Sequence, residues 1–390
     1  NHRMKKHSLL GIFVTSVVVL LIATVPPLLA QECTALIQES FANLGEACNE
    51  AGGSSACFGS AASVDAEGFT NSGDTVSLSD FTAITTTGLN PEQDSFGLAT
   101  IHVPANVPLS LSETGLHYIL IGDVSVENLV DPAAAFTPAA PITVTAIVGS
   151  NLRSSPSTDA RVVNSVAAGE VLSASGISND QQWFMVTTSD GNVWINRQVV
   201  TITEGDAASL PVMNNEQRTL MQSFKLNTGA GVPDCVGTPP SMLVLQAPDG
   251  FNALIEINGA EVRFDGTVAF WMLPDGTMQF GVLSGGASSN GLNLPAGFTM
   301  FAPIGDDGMI SGAWVNLRPI NDGERVLLQT VEVVPEEMLY AAIQIPTAAE
   351  VQQTLSSINA SAASGPARTA AGATISCDGF RPTSPLDSMP

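Results

Sequence analysis

The side chains that could carry out acid–base or metal chemistry are few in this chain. Only four histidines are present, and two of them, His102 and His117, follow the first thirty residues. They lie in neighbouring strand-like runs, so we expect them on adjacent strands and on a common face. Two imidazoles with a carboxylate could bind a metal ion, but no third ligand stands at a diagnostic spacing. The sequence therefore predicts no metal and no cofactor.

A nucleophile with its base is equally hard to find. The sequence has no G-x-S-x-G turn, and Cys57, the nearest candidate for a cysteine hydrolase, is better explained as half of a disulfide. The two carboxylates of a glycoside hydrolase can be distant in sequence, which keeps a hydrolase open as an alternative. Glu256 and Glu261 flank one hairpin turn, where exposed acidic residues are usual. We predict no catalytic residue.

Cysteines point to disulfide chemistry instead. The chain has five, at Cys33, Cys48, Cys57, Cys235 and Cys377. None forms a C-x-x-C pair, and exported proteins use cysteines mainly for disulfides. We expect Cys235 to pair with Cys377 and Cys48 with Cys57, which leaves Cys33 free or bonded to another molecule.

Export is predicted from the first thirty residues. Lys5 and Lys6 precede an apolar run from Leu9 to Val25, and Ala30 ends the segment with a small residue. This is the pattern of a secretory signal peptide; the alternative is an uncleaved anchor helix. After cleavage we expect a secreted or envelope protein without membrane contact. The formal net charge of −24 argues against nucleic acid as a partner, because such binding needs clustered Lys and Arg.

The remaining sequence predicts a mainly β, multi-domain chain with few helices. Charged residues make up only 13% of the chain, with 35 Gly and 24 Pro, which favours short strands and many turns. We expect a signal peptide over 1–30, a helix and a β module over 31–130, a Pro/Ala linker over 131–141, a small barrel over 142–202, a linker over 203–234, a hairpin-rich module over 235–334, short helices over 335–363 and a flexible tail over 364–390. The helices are expected at Cys33–Asn49 and Pro335–Ala360, the second one broken at Pro346.

Asx-Gly pairs recur in the hairpin-rich module and indicate its turns. They are Asp249-Gly250, Asn258-Gly259, Asp265-Gly266, Asp275-Gly276 and Asp307-Gly308. Such a pair between alternating apolar residues is the strongest short signal for a β-hairpin. An antiparallel sheet or barrel is therefore predicted here.

Four blocks within residues 142–202 carry a resemblance to a known family. They read NLRSSPST at 151–158, AGEVL at 168–172, WFMV at 183–186 and WI at 194–195. In this order and spacing they resemble the bacterial SH3 (SH3b) family. The resemblance implies a small, strongly bent β-barrel that either binds peptidoglycan or spaces its neighbours. The ligand face would include Asn151, Arg153 and Trp183; alternatively, Asn151 and Arg153 tie their loop to its own backbone and the Trp side chains pack.

A fainter resemblance covers residues 260–303. The runs VRFDGTV at 262–268, GTMQFGVLSGG at 276–286 and LPAG at 294–297 are similar to the FecR-type extracytoplasmic domain. That family implies a β-rich module for sensing or protein interaction.

Together these features predict an exported, non-enzymatic protein that binds or scaffolds at the cell envelope. The expected partner is peptidoglycan or another envelope protein. One alternative is an envelope hydrolase with an unrecognised catalytic domain, and another is an extracytoplasmic sensor that binds a protein.

Overall fold

A computed structural model describes residues 28–49, 51–104, 115–136, 140–188, 191–213, 218–230, 238–248 and 251–364. The chain is mainly β, as the sequence predicts, and its described strands form two separate sheets. Most of the predicted signal peptide and nearly all of the predicted tail lie outside the described residues. Among those residues, no helix is both long and apolar enough to cross a membrane.

The larger of the two sheets, here the large sheet, holds fifteen described strands. Seven come early in the chain: β1 (Ser55–Ser60), β2 (Ala62–Val64), β3 (Thr75–Ser77), β4 (Ala83–Thr86), β5 (Leu98–Val103), β6 (Leu116–Ile121) and β7 (Val124–Asn128). Eight come late: β16 (Ser223–Thr228), β17 (Met242–Gln246), β18 (Ala253–Ile257), β19 (Ala260–Met272), β20 (Thr277–Ser289), β21 (Leu292–Pro295), β22 (Phe298–Pro303) and β23 (Val315–Pro319).

Late strands lie between two groups of early strands within this one sheet, whereas the sequence suggested separate modules over 31–130 and 235–334. β7 pairs antiparallel with β16, and β6 pairs antiparallel with β17. Every residue of β5 and of β17 is buried. A strand whose two faces are both buried needs packing partners above and below the sheet. The early and late stretches of the chain therefore belong to one packed unit.

Two long strands form a corner of the large sheet. The first half of β19 pairs with β18 and its second half with β17, while β20 follows β19 along its length. The bend lies at Gly266 and its partner Gly285, which both have positive φ. A Cβ atom on Gly285 would lie 2.2 Å from the carbonyl oxygen of Asp265, so the position requires glycine. The hairpin turn predicted at Asp265-Gly266 is therefore wrong, because this pair bends a strand.

The second sheet, here the small sheet, lies between β7 and β16 in the chain. Its described strands are β8 (Ile142–Ala146), β9 (Ser150–Arg153), β10 (Val162–Val166), β11 (Val171–Ser178), β12 (Trp183–Thr188), β13 (Gly191–Asn196), β14 (Val200–Glu204) and β15 (Val212–Met213). It extends beyond the predicted end at 202, because β15 pairs in parallel with β11. The two connecting segments meet at its base, where the Phe136 N–H donates to the Arg218 carbonyl at 2.9 Å.

Apolar side chains fill both sides of the large sheet. One side holds the main core, around Tyr118, Phe224 and Phe270. The other side is covered by helix α1 (Leu28–Cys48) through Phe41 and Leu44. Helix α1 confirms the helix predicted at Cys33–Asn49.

After β23, residues 322–345 also pack against this second side. They form helix α2 (Asp322–Gln329) and 3-10 turns at Thr330–Val333 and Glu336–Met338, and helix α3 (Ala348–Ser364) follows them in the chain. The helix predicted over Pro335–Ala360 is correct only from Ala348 onward. Residues 335–345, here the strap, contain a single 3-10 turn, because Met338, Ile343 and Ile345 are buried against the sheet at a spacing that a helix does not have.

Candidate functional site

The predicted ligand face of the small sheet is partly covered by the chain itself. Trp183 is 5% exposed and forms a buried cluster with Met185, Trp194 and Met213, against which Phe136 packs. Met213 lies on β15, the last described strand of the small sheet, and Phe136 belongs to the segment that leads into this sheet. An indole buried in this way offers its surface to its own chain rather than to a ligand.

Arg153 and Asn151 lie on β9 beside that cluster. Arg153 is paired in register with Trp194, and its Nη1 donates to the Ala160 carbonyl at 2.7 Å. This hydrogen bond fastens the loop between β9 and β10, which is the structural alternative raised by the sequence. Asn151 is exposed. Asn151 and Arg153 on β9 are therefore separated from Trp183 on β12 by strand β13, and the three predicted ligand residues do not form one open surface.

An apolar surface that the sequence argument missed lies elsewhere on the small sheet. Ile147, Val148 and Val171, here the apolar tip, are 61%, 51% and 63% exposed. Val171 lies opposite Thr145 on β8, and Ile147 follows Thr145 by two residues, so Ile147 and Val171 lie on one face at this end of β8. Val148 is the next residue in the same turn. A signal was present in the sequence, since an Ile-Val pair occupies a turn where polar residues are usual.

The two histidines occupy opposite positions on β5 and β6, as the sequence predicts. Their rings meet edge to face, with centroids 4.3 Å apart. His102 is 5% exposed, and its Nδ1 atom has no hydrogen-bond partner. In the part of the chain that the structure describes, no third His, Cys, Asp or Glu joins the pair in a cluster that could hold a metal ion.

Burial favours the neutral form of both imidazoles. It lowers the pKa of His102 from 6.5 to about 3, and the neighbouring His117 adds to the shift. Burial also lowers the pKa of His117, although the Met338 carbonyl, 2.8 Å from its Nδ1, opposes this shift by accepting a hydrogen bond. Two neutral imidazoles, His102 buried and His117 half-buried, therefore lie under the strap at neutral pH.

Polar groups around these rings add hydrogen bonds to the apolar contacts that hold the strap on the sheet. Tyr340 stacks on His117 with ring centroids 4.4 Å apart, and its hydroxyl donates to the Gly115 carbonyl. Gln246 accepts from the Tyr340 N–H at 2.7 Å and donates to the Ala341 carbonyl at 2.7 Å. Gln246 is buried and lies directly opposite His117 on β17. These bonds join segments that are about one to two hundred residues apart in sequence, which sequence patterns do not reveal.

The two acidic residues that flank the predicted hairpin turn are opposite each other on β18 and β19. Glu256 and Glu261 are cross-strand partners, and the guanidinium of Arg218 lies 2.9 Å from Glu261. Glu261 is 56% exposed. The ion pair occupies one of the two carboxylates, as in an ordinary surface salt bridge.

One predicted disulfide is confirmed. Cys48, at the end of α1, is bonded to Cys57 on β1. Cys33 is also disulfide-bonded, so of the two states expected from the sequence, a free thiol or a bond to another molecule, the free thiol is wrong. Cys235 and Cys377 lie outside the described residues, so their predicted pairing stays a prediction.

Comparison with known proteins adds no relative. Neither a protein-family model nor a curated protein matches this chain. The resemblances to SH3b and FecR-type domains therefore stay predictions, carried by the residues quoted for them.

Proposed function

We propose that this chain is an exported, non-enzymatic protein of the cell envelope, and that its small sheet is an SH3b-like module that binds through the apolar tip. The proposed partner is peptidoglycan, with another envelope protein as the alternative. The signal-like segment that ends at Ala30, the SH3b-like blocks and the Cys48–Cys57 disulfide support this proposal.

The exposed apolar tip is the observation that carries the proposal. Apolar side chains that are neighbours on a surface mark a contact with another molecule more often than scattered ones do. The chain covers Trp183 with Met213 and Phe136, yet it leaves Ile147 and Val171 more than half exposed. We therefore assign binding to the tip rather than to Asn151, Arg153 and Trp183.

Charge narrows the kind of contact that the tip can make. With a formal net charge of −24, the chain gains no long-range attraction to anionic wall polymers. Binding must then come from apolar contact and hydrogen bonds at short range. The threonines beside the tip, Thr145 and Thr201, are paired in register and offer hydroxyl groups for such bonds.

Sedimentation with purified peptidoglycan tests this assignment on the chain from residue 31 onward. The test variant is Val171→Glu, and the matched control is Val326→Glu, because Val326 on α2 is equally exposed at 64%. A charge placed in an apolar contact costs at least about tenfold in affinity. We expect that loss for Val171→Glu and no loss for Val326→Glu.

Two results would overturn the proposal. If the unmodified chain does not sediment with peptidoglycan, or if both variants bind equally well, the tip is not a wall-binding surface. Clearing of cell-wall material by the purified chain would contradict the non-enzymatic part.

A further inference from the structure

A row of polar side chains crosses the large sheet under the strap. Its members lie directly opposite one another on five neighbouring strands: Ser55, His102, His117, Gln246 and Thr267. Residues in such positions have their Cβ atoms about 5 Å apart, so their side chains touch. The Gln246 amide nitrogen, for example, donates to the Thr267 hydroxyl at 3.0 Å. This polar row runs across a face that is otherwise apolar.

The strap is hydrogen-bonded to side chains in the middle of the polar row and does not pair with the backbone of any described strand. His117 is bonded to the Met338 carbonyl, and Gln246 is bonded to the backbone of Tyr340 and Ala341. At the far end of the strap, the Ile345 N–H donates to Glu332 at 3.0 Å. A segment held by a few side-chain bonds opens at a lower free energy than a strand of the sheet.

Among the described residues that lie opposite or against His102, none is placed to neutralise a proton on its ring. β1 contributes Ser55 and β17 contributes Gln246, which do not titrate. β6 contributes His117 and the strap contributes the Tyr340 ring. The charged residues of the strap, Glu336 and Glu337, are exposed, and the Glu337 carboxylate lies beside Gly45 of α1 instead.

The environment of His102 gives its protonated form no compensation. Its Nδ1 atom has no acceptor, and the nearby hydroxyl of Thr100 is also buried without a partner. A second proton would therefore leave a buried donor unsatisfied and a charge unpaired. If His117 were protonated as well, two positive rings would lie 4.3 Å apart.

We propose that the strap is an acid-sensitive latch. Protonation of the His102–His117 pair releases it from the side of the large sheet that α1 also covers. Release lets water reach the imidazolium rings. It also uncovers Met338, Ile343 and Ile345 together with the apolar face beneath them. Acid would thus convert a closed apolar layer into an exposed surface in an exported protein.

The direction of the pH effect follows from the lowered pKa values. Each imidazole has a lower pKa in the closed form than its value of 6.5 in water, so the closed form is favoured above pH 6.5 and loses that advantage as the pH falls. For His102, with a pKa of about 3 when closed and 6.5 when hydrated, linkage gives up to about a 30-fold rise in the opening constant between pH 8 and pH 5.

Hydrogen exchange on the full chain, corrected for the intrinsic rates at each pH, tests the latch. In the wild type, protection of residues 336–345 should fall by up to about 30-fold between pH 8 and pH 5, while β17 keeps its protection. His102→Leu and His102→Gln cannot take up the proton at this position, so the pH-dependent fall should be several-fold smaller in both. Tyr340→Phe is the matched control: it removes one strap bond, so it should raise exchange at both pH values and leave their ratio unchanged.

The proposal is overturned if strap protection is the same at pH 8 and pH 5, or if the fall is as large in both His102 variants as in the wild type. Loss of protection in β17 together with the strap would also overturn it, because the sheet as a whole would then be opening.

Discussion

Asn258 offers the sharpest test of how the large sheet is held together. It occupies the turn between β18 and β19 with φ +48° and is 1% exposed. Its Oδ1 accepts from the Leu226 N–H at 3.0 Å, and its Nδ2 donates to the carbonyls of Leu226 and Gly308 at 2.9 and 2.6 Å. One side chain thus joins a turn, strand β16 and the loop before β23.

Asn290 provides a matched control for the backbone of this turn. It has φ +50° and is followed by Gly291, as Asn258 is by Gly259, but its side chain is exposed. Alanine at either site should cost about 1–2 kcal/mol for the left-handed backbone. Asn258→Ala should cost about 3 kcal/mol more, because it also removes three buried hydrogen bonds at about 1 kcal/mol each.

Urea unfolding of the full-length chain and both variants measures this difference. We expect the free energy of unfolding to fall by about 1–2 kcal/mol for Asn290→Ala and by about 4–5 kcal/mol for Asn258→Ala. Equal losses would refute the reasoning, because the buried hydrogen bonds would then contribute nothing beyond the backbone conformation.

Two further predictions concern α1 and α2. Replacing Cys48 and Cys57 together by alanine should cost about 2–3 kcal/mol, since their bond closes a loop of nine residues' separation; an unchanged unfolding midpoint would contradict this. Glu324→Gln should cost about 1–2 kcal/mol at pH 7, because the carboxylate accepts two hydrogen bonds from Arg318 at 2.7 and 2.8 Å. Burial raises the pKa of Glu324, but the bonds from Arg318, Asn321 and Gln279 outweigh burial and lower it overall. The contribution of the carboxylate is therefore present above its ordinary pKa of 4.5 and is lost as the pH falls through the lower folded value, so the stability difference between wild type and variant should shrink in unfolding curves recorded at successively lower pH below 4.5.

Local sequence patterns predicted the individual turns, strands and helices of this fold better than they predicted which distant segments pack together. The Asn258-Gly259 and Asp275-Gly276 pairs do form hairpin turns, because an Asx-Gly turn depends mainly on its own backbone. Asp265-Gly266 has the same composition but lies inside strand β19, where Gly266 is paired with Gly285 of β20. The strap was predicted as helix from its acidic first turn and apolar spacing. Its real conformation depends on Gln246 and His117, which no local pattern can supply.

The candidate sites show the same difference between local features, which the sequence predicts, and contacts between distant segments, which it does not. The sequence placed His102 and His117 on neighbouring strands, and the register confirms their contact. It did not predict that Met213 and Phe136 cover Trp183, because that packing joins residues from both ends of the small sheet. An exposed Ile147 could have been noticed from its position in a turn, whereas its proximity to Val171 required the pairing of β8 with β11.

The structure also shows how to remove the small sheet cleanly. The Phe136 N–H and the Arg218 carbonyl are hydrogen-bonded, so two glycines between these residues can replace everything from 137 to 217. The pairing of β7 with β16 should hold the large sheet together in the shortened chain. An unchanged unfolding midpoint for the large sheet would verify this before any binding assay.

Sedimentation of the full and shortened chains with purified peptidoglycan tests the proposed function most directly. We expect the chain from residue 31 onward to sediment and the chain without residues 137–217 to stay in solution. Equal sedimentation of the two would contradict the assignment of wall binding to the small sheet, and failure of both to sediment would contradict peptidoglycan as the partner.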